Sequence, residues 1–221
     1  MAFKVGFNAK GKMKRVRAII CMMVLVVASL QASAFDFPSS LVSVSKTRIK
    51  ELTLLIRQQP GNARAYAERA SARMEVKDAY GAIKDYSIAL VLGAEDSTSI
   101  REARGNAFLE VGAYREALKD FEAVLTNEAS TESLYGRAVA RYYLDDHFGA
   151  IRDLDEVILT APTHNRALCN RGIVKLELNK LEEAVSDLTL FLTHYPDHVE
   201  ATYALSVATN RLQKRIAKRS M

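Results

Sequence analysis

An alanine returns about every 34 residues along this chain. Ala82, Ala117, Ala150 and Ala184 are separated by 35, 33 and 34 residues. Each opens the same local pattern: Ala82-Ile83-x-Asp85-Tyr86, Ala117-Leu118-x-Asp120-Phe121, Ala150-Ile151-x-Asp153-Leu154 and Ala184-Val185-x-Asp187-Leu188. A unit of this length makes two short helices and cannot bury its own apolar face, so units stack and share a core. That constraint excludes a single closed core. It leaves an extended surface suited to holding another molecule.

With the shared alanine at position 20 of a 34-residue frame, the repeats are 63–96, 98–131, 131–164 and 165–198. Position 8 is Ala70, Gly105, Ala138 and Gly172. Small residues at 8 and 20 let two antiparallel helices cross closely, where a longer side chain costs ~1–3 kcal/mol. Position 24 is Tyr86, Phe121, Leu154 and Leu188, large enough to fill the gap between neighbours. Position 32 is Ala94, Ala129, Pro162 and Pro196, and each proline ends a helix. Helix pairs are expected near 63–76 and 80–92, 98–111 and 114–127, 131–144 and 147–160, and 165–178 and 181–194. A capping helix is expected over 46–60, where Ile49, Leu52, Leu55 and Ile56 share a face. Another follows at 199–221, carrying Ala201, Leu205, Ala208 and Leu212 before a basic tail. Residues 35–45, rich in serine, read as a flexible leader.

Over residues 63–198 these positions resemble the tetratricopeptide repeat (TPR), whose pattern has a small residue at 8, Ala at 20, an aromatic at 24 and Pro at 32. The resemblance implies an all-α, right-handed α-α superhelix of about four helix-turn-helix repeats with capping helices at both ends. There are departures. Position 4 is Tyr66, Arg101, Leu134 and Leu168, and the chain has no tryptophan. Position 11, aromatic in the family, is Arg73, Phe108, Arg141 and Lys175.

The resemblance places ligand contacts on the first helix of each repeat, at positions 2, 5, 9, 12 and 13. The candidates are Met74 and Glu75 in repeat one and Glu102, Asn106 and Glu110 in repeat two. Repeat three gives Tyr135, Val139, Tyr142 and Tyr143, and repeat four gives Arg166, Cys169 and Ile173. The acids suit a basic stretch of a partner. The tyrosines supply stiff contact area with a polar tip, or else pack between repeats three and four; both readings stand. The clamp by which chaperone-binding members hold a terminal carboxylate is not built here, since only Asn106 and Arg166 match it.

A second signal is four for four. Position 7 is Arg69, Arg104, Arg137 and Arg171, and position 23 is Asp85, Asp120, Asp153 and Asp187. Flanked by the small residues of the crossing, they predict a structural Arg–Asp pair in every repeat, forked where geometry allows.

The N-terminus reads as an address. Lys4, Lys10, Lys12, Lys14, Arg15 and Arg17 precede an apolar run from Ala18 to Leu30 and a small-x-small site ending at Ala34. This is the layout of a signal peptide over 1–34, and its apolar run is short of the ~20 residues a spanning helix needs. The chain has 31 basic and 26 acidic residues; without the six basic residues of the address the balance is 25 − 26 = −1. The high pI therefore gives no support for a nucleic-acid partner. Arg211, Lys214, Arg215, Lys218 and Arg219 remain as a local excess open to weak contact with an anionic surface. Cys21 leaves with the address, and Cys169 reads as a small buried apolar residue. His194 and His198 have metal-like spacing, but Pro196 between them takes them off a common helix face. No metal, cofactor or catalytic site is expected. The expected function is a protein- or peptide-binding scaffold or adaptor of the bacterial cell envelope, periplasmic or secreted after cleavage near Ala34. The alternative is an inner-membrane-anchored structural subunit that oligomerises through its end helices.

Overall fold

The structure is a computed structural model that describes residues 39–126 and 130–220 of the 221-residue chain. The expected signal peptide lies outside the described residues. Val42–Met221 forms one compact unit, and the contacts below belong to it. Among the described residues there are ten helices and no strand. They are α1 (Ser39–Gln58), α2 (Ala63–Glu75), α3 (Ala79–Val91), α4 (Ser97–Glu110), α5 (Tyr114–Leu125), α6 (Thr131–Tyr143), α7 (His147–Thr160), α8 (Asn165–Glu177), α9 (Leu181–His194) and α10 (Val199–Arg219). None is long and apolar enough to cross a membrane.

Each repeat supplies an A helix (α2, α4, α6, α8) and a B helix (α3, α5, α7, α9). Consecutive helices pack against one another from α2 to α10. The chain marks every boundary. Asn62, Asp96, Ser130, His164 and His198 each accept, through the side chain, the backbone N–H three residues on, capping α2, α4, α6, α8 and α10. Between A and B helices the chain turns through a left-handed residue at position 15, namely Lys77 (φ 64°), Gly112 (φ 74°), Asp145 (φ 66°) and Asn179 (φ 59°). The repeat therefore imposes a backbone conformation that only Gly112 meets without steric cost. Lys77→Gly is expected to stabilise the protein by about 1 kcal/mol. Urea denaturation checks this, and an unchanged or lower midpoint would contradict it.

The shared core follows the frame. Ala82, Ala117, Ala150 and Ala184 are completely buried. Phe121 fills the space beside Gly105 and Gly136, where an added Cβ would meet its ring. Leu188 does the same at Gly172.

The frame extends beyond the four repeats. Leu52 of α1 sits where position 24 of a preceding repeat would fall, and it is buried with Ile56 against Ala65 and Tyr66 of α2. α1 is thus a B-type helix. One expectation is corrected here: the leader placed at 35–45 is helical from Ser39, and Ser45 is buried, donating a hydrogen bond to Glu75 of α2. That contact draws the start of the helix back along the array. α10 is an A-type helix: Ala201 and Ala208 occupy positions 3 and 10 and are buried, like Ala65 and Ala72 of α2.

Candidate functional site

The four Arg–Asp pairs of positions 7 and 23 are present as forks. Arg69 Nε and Nη2 donate to Asp85 Oδ2 and Oδ1 at 2.7 and 2.8 Å. Arg104 meets Asp120 at 2.7 and 2.7 Å, Arg137 meets Asp153 at 2.9 and 2.8 Å, and Arg171 meets Asp187 at 2.8 and 2.7 Å. Hydrogen bonding to the aspartate raises the guanidinium pKa of Arg69, Arg137 and Arg171 above its usual value, against the opposing effect of burial.

Each aspartate holds a second cation, which the sequence reading missed. Arg73 Nη1 lies 3.0 Å from Asp85, Arg141 Nη1 donates to both oxygens of Asp153 at 2.8 Å, and Lys175 Nζ lies 2.9 Å from Asp187. These are the basic residues at position 11, where the resemblance expects an aromatic. Repeat two has Phe108 at that position, and its second cation is Arg101, 3.7 Å from Asp120. The departures at positions 4 and 11 are therefore one arrangement: two cations around each buried carboxylate. The free Nη1 of the position-7 arginine then reaches the preceding B helix, at Thr53 (3.1 Å), Ser87 (3.0 Å) and Asp155 (2.7 Å) for Arg69, Arg104 and Arg171. The pairs thus fix the crossing inside a repeat and the register between repeats.

With this frame fixed, the expected ligand-binding face changes character along the array. Asn106 and Glu110 are exposed and make no hydrogen bond or ion pair among the described residues. Met74 is half-buried against the Ala82–Tyr86 core, and Val139 is half-buried. Glu75 and Glu102 are already engaged: Glu75 accepts from Ser45, and Glu102 Oε2 accepts from Ser130 and Ser133 Oγ at 2.6 and 2.5 Å. Those bonds tie neighbouring repeats together.

The tyrosines also join repeats. Tyr142 is buried, and its hydroxyl donates to Glu177 of α8 at 2.9 Å. Tyr143 stacks on Tyr114 of α5, ring centroids 4.2 Å apart. Tyr135 accepts from Asn170 Nδ2 at 3.0 Å and lies under the exposed guanidinium of Arg166, 5.3 Å from the ring centre; burial pushes its hydroxyl pKa up.

Three expected groove residues are corrected. Tyr142, Cys169 and Ile173 are buried and present no open surface. Tyr142 is turned into the repeat three–four junction, and Cys169 and Ile173 lie on α8, against which α10 also packs. Burial pushes the Cys169 thiol up to about 12, so it is a neutral apolar group at neutral pH. Among the described residues no group of three or more His, Cys, Asp or Glu is placed to hold a metal ion.

Solved structures share the fold. MamA from residue 41 onward, of Desulfovibrio magneticus RS-1, superimposes with a TM-score of 0.65 at 14% identity, covering 87% of this chain and 99% of that one. A tetratricopeptide repeat protein of Parabacteroides merdae gives 0.65 at 19%, covering 87% and 76%. YrrB, described as a TPR protein with an unusual peptide-binding site, gives 0.62 at 21%, covering 74% and 84%. The fold is that of a TPR array. No family model matches the chain. In sequence, 158 residues are 29% identical to DnaJ homolog subfamily C member 3 of Gallus gallus, covering 64% of this chain. The matched region spans 31% of that protein's length.

Within the TPR array the open part of the A-helix face runs through repeats one to three. It narrows toward repeat four, where Ile173 and Leu176 replace the outward Ser71 and the half-buried Met74 of repeat one.

Proposed function

We propose that this protein is a non-catalytic scaffold of the bacterial cell envelope that binds a protein or peptide along the A-helix face of repeats one to three. The observation that carries the reading is the pair Asn106 and Glu110. They lie one turn apart on α4, exposed, with no hydrogen bond or ion pair among the described residues. Residues four apart on a helix share a face, so an amide and a carboxylate stand ready together on a rigid support. An extended segment with a Lys or Arg side chain satisfies both, the cation on Glu110 and a backbone amide on Asn106. The envelope assignment rests on the basic start, apolar run and Ala34 site of residues 1–34.

The test is affinity capture from envelope extract, followed by titration of the recovered partner. Asn106→Ala/Glu110→Lys should match the wild-type melting temperature, because neither residue has a partner among the described residues. It should weaken binding at least about tenfold, since losing a charge-assisted hydrogen bond costs ~1.5–3 kcal/mol. Equal affinity for both proteins would move the site off this face.

A further inference from the structure

The two end helices are halves of one repeat. α1 continues the B-helix frame, with Ile49, Leu52 and Ile56 at positions 21, 24 and 28, where the other B helices also carry Ile, Leu, Val or an aromatic. Between α1 and α2 lies a cleft of about 310 Å³ lined by Arg48, Glu51, Leu52 and Leu55 of α1 and by Arg64 and Glu68 of α2. Glu51 and Leu52 stand at positions 23 and 24, and in the repeats these positions meet that repeat's own A helix, position 23 through the Arg–Asp forks and position 24 as Tyr86 on Ser71, Phe121 at Gly105 and Leu188 at Gly172.

α10 continues the A-helix frame. Its inner positions 3, 6 and 10 are Ala201, Ala204 and Ala208, all buried. Of the positions an A helix turns toward its B helix, Thr202 and Ser206 are exposed and Leu205 and Thr209 are half-buried; further on, Gln213 and Ile216 are exposed. Position 8 is small, as in every repeat. The lengths agree as well: α1 has 20 residues and α10 has 21, against 12 to 14 for the helices between them. Each end helix overruns the array by about two turns. In an antiparallel pair the overruns lie side by side, and each carries an exposed aliphatic residue, Val44 at 62% and Ile216 at 58%.

We infer that α10 of one copy docks in the α1 cleft of a second copy, completing a TPR between them and joining chains head to tail. A contact between different surfaces of identical chains leaves a free end at each step, so it propagates rather than closing as a dimer. The junction is weaker than those inside a chain. Position 20 is Arg48 instead of Ala, and position 7 of α10 is Leu205 instead of Arg, so no buried Arg–Asp fork forms. Arg48 is drawn aside onto Glu68 of α2. This inference is independent of the Asn106–Glu110 surface.

Sedimentation of the purified protein over a wide concentration range tests it. The wild type should rise in mean mass beyond a dimer as concentration increases. Val44→Asp and Ile216→Asp, both at exposed positions, should each stay monomeric with unchanged melting temperature. An equal mixture of the two variants should give dimers, because one chain keeps an intact α10 and the other an intact α1. A wild type that remains monomeric throughout overturns the inference, and the cleft then belongs to another segment. So does assembly that neither variant alters, or a mixture that stays monomeric.

Discussion

Asp153→Ala is expected to destabilise the protein by about 3–5 kcal/mol, the range for removing one partner of a buried ion pair. Its side chain is 4% exposed and receives Arg137 through a fork and Arg141 through a third donor. Removing the carboxylate leaves two guanidinium groups, each under one-fifth exposed, side by side, with only the half-exposed Asp146, 3.7 Å from Arg141, as a nearby acid. Desolvation and like-charge repulsion then act together. The loss should concentrate in repeat three, because an array loses stability repeat by repeat. Amide exchange should therefore quicken in α6 and α7 before α2 and α3. Arg101→Ala is the control: its 3.7 Å contact with Asp120 is made by a side chain 39% exposed, and its loss should cost no more than ~1 kcal/mol. A chain carrying Asp153→Ala that unfolds within about 0.5 kcal/mol of wild type would show that the carboxylate clusters add nothing to register.

The clusters also show which parts of the molecule were legible from sequence. The 34-residue spacing of four alanines located the helix pairs because a close crossing tolerates little else at position 20. The Arg–Asp forks were readable because one spacing, 16 residues, recurs in every repeat. The second cation was not, because it comes from position 11 in three repeats and from position 4 in the other, and no single spacing connects it to the aspartate. A signal did exist: repeat two has Arg101 at 4 and Phe108 at 11, the reverse of Tyr66 and Arg73 in repeat one. The binding face was only partly legible. Helical periodicity says which residues share a face, and it placed Asn106, Glu110, Tyr142 and Ile173 alike. Whether the next helix covers that face depends on side-chain reach across the junction. Tyr142 reaches Glu177 of α8 and is buried, whereas Asn106 reaches no partner among the described residues and stays open. The early start of α1 was hidden for a similar reason, since Ser45 looks like leader composition until Glu75, 30 residues on, is placed beside it.

Gly136→Val is expected to cost about 2–3 kcal/mol by overpacking. Gly136 faces the ring of Phe121, which is completely buried; an added Cβ would lie 2.7 Å from both Cε1 and Cε2. The same ring tip also sits close to Gly105, where an added Cβ would lie 2.9 Å from Cε1 and Cζ, so a shift of the ring is restrained by a second helix. Helix propensity works in the opposite direction, favouring almost any residue over glycine by up to about 1 kcal/mol, so the clash exceeds the propensity gain. Two glycines on successive A helices and one phenylalanine between them thus set the distance between repeats two and three. The decisive measurement is a double-mutant cycle. Phe121→Leu alone should destabilise by leaving a cavity, yet combined with Gly136→Val it should cost less than the sum of the two, because leucine vacates the space the new side chain occupies. A coupling of at least about 1 kcal/mol of that sign is expected for residues in direct contact. Additivity to within about 0.5 kcal/mol would mean that the helices separate freely and that Phe121 does not hold their spacing.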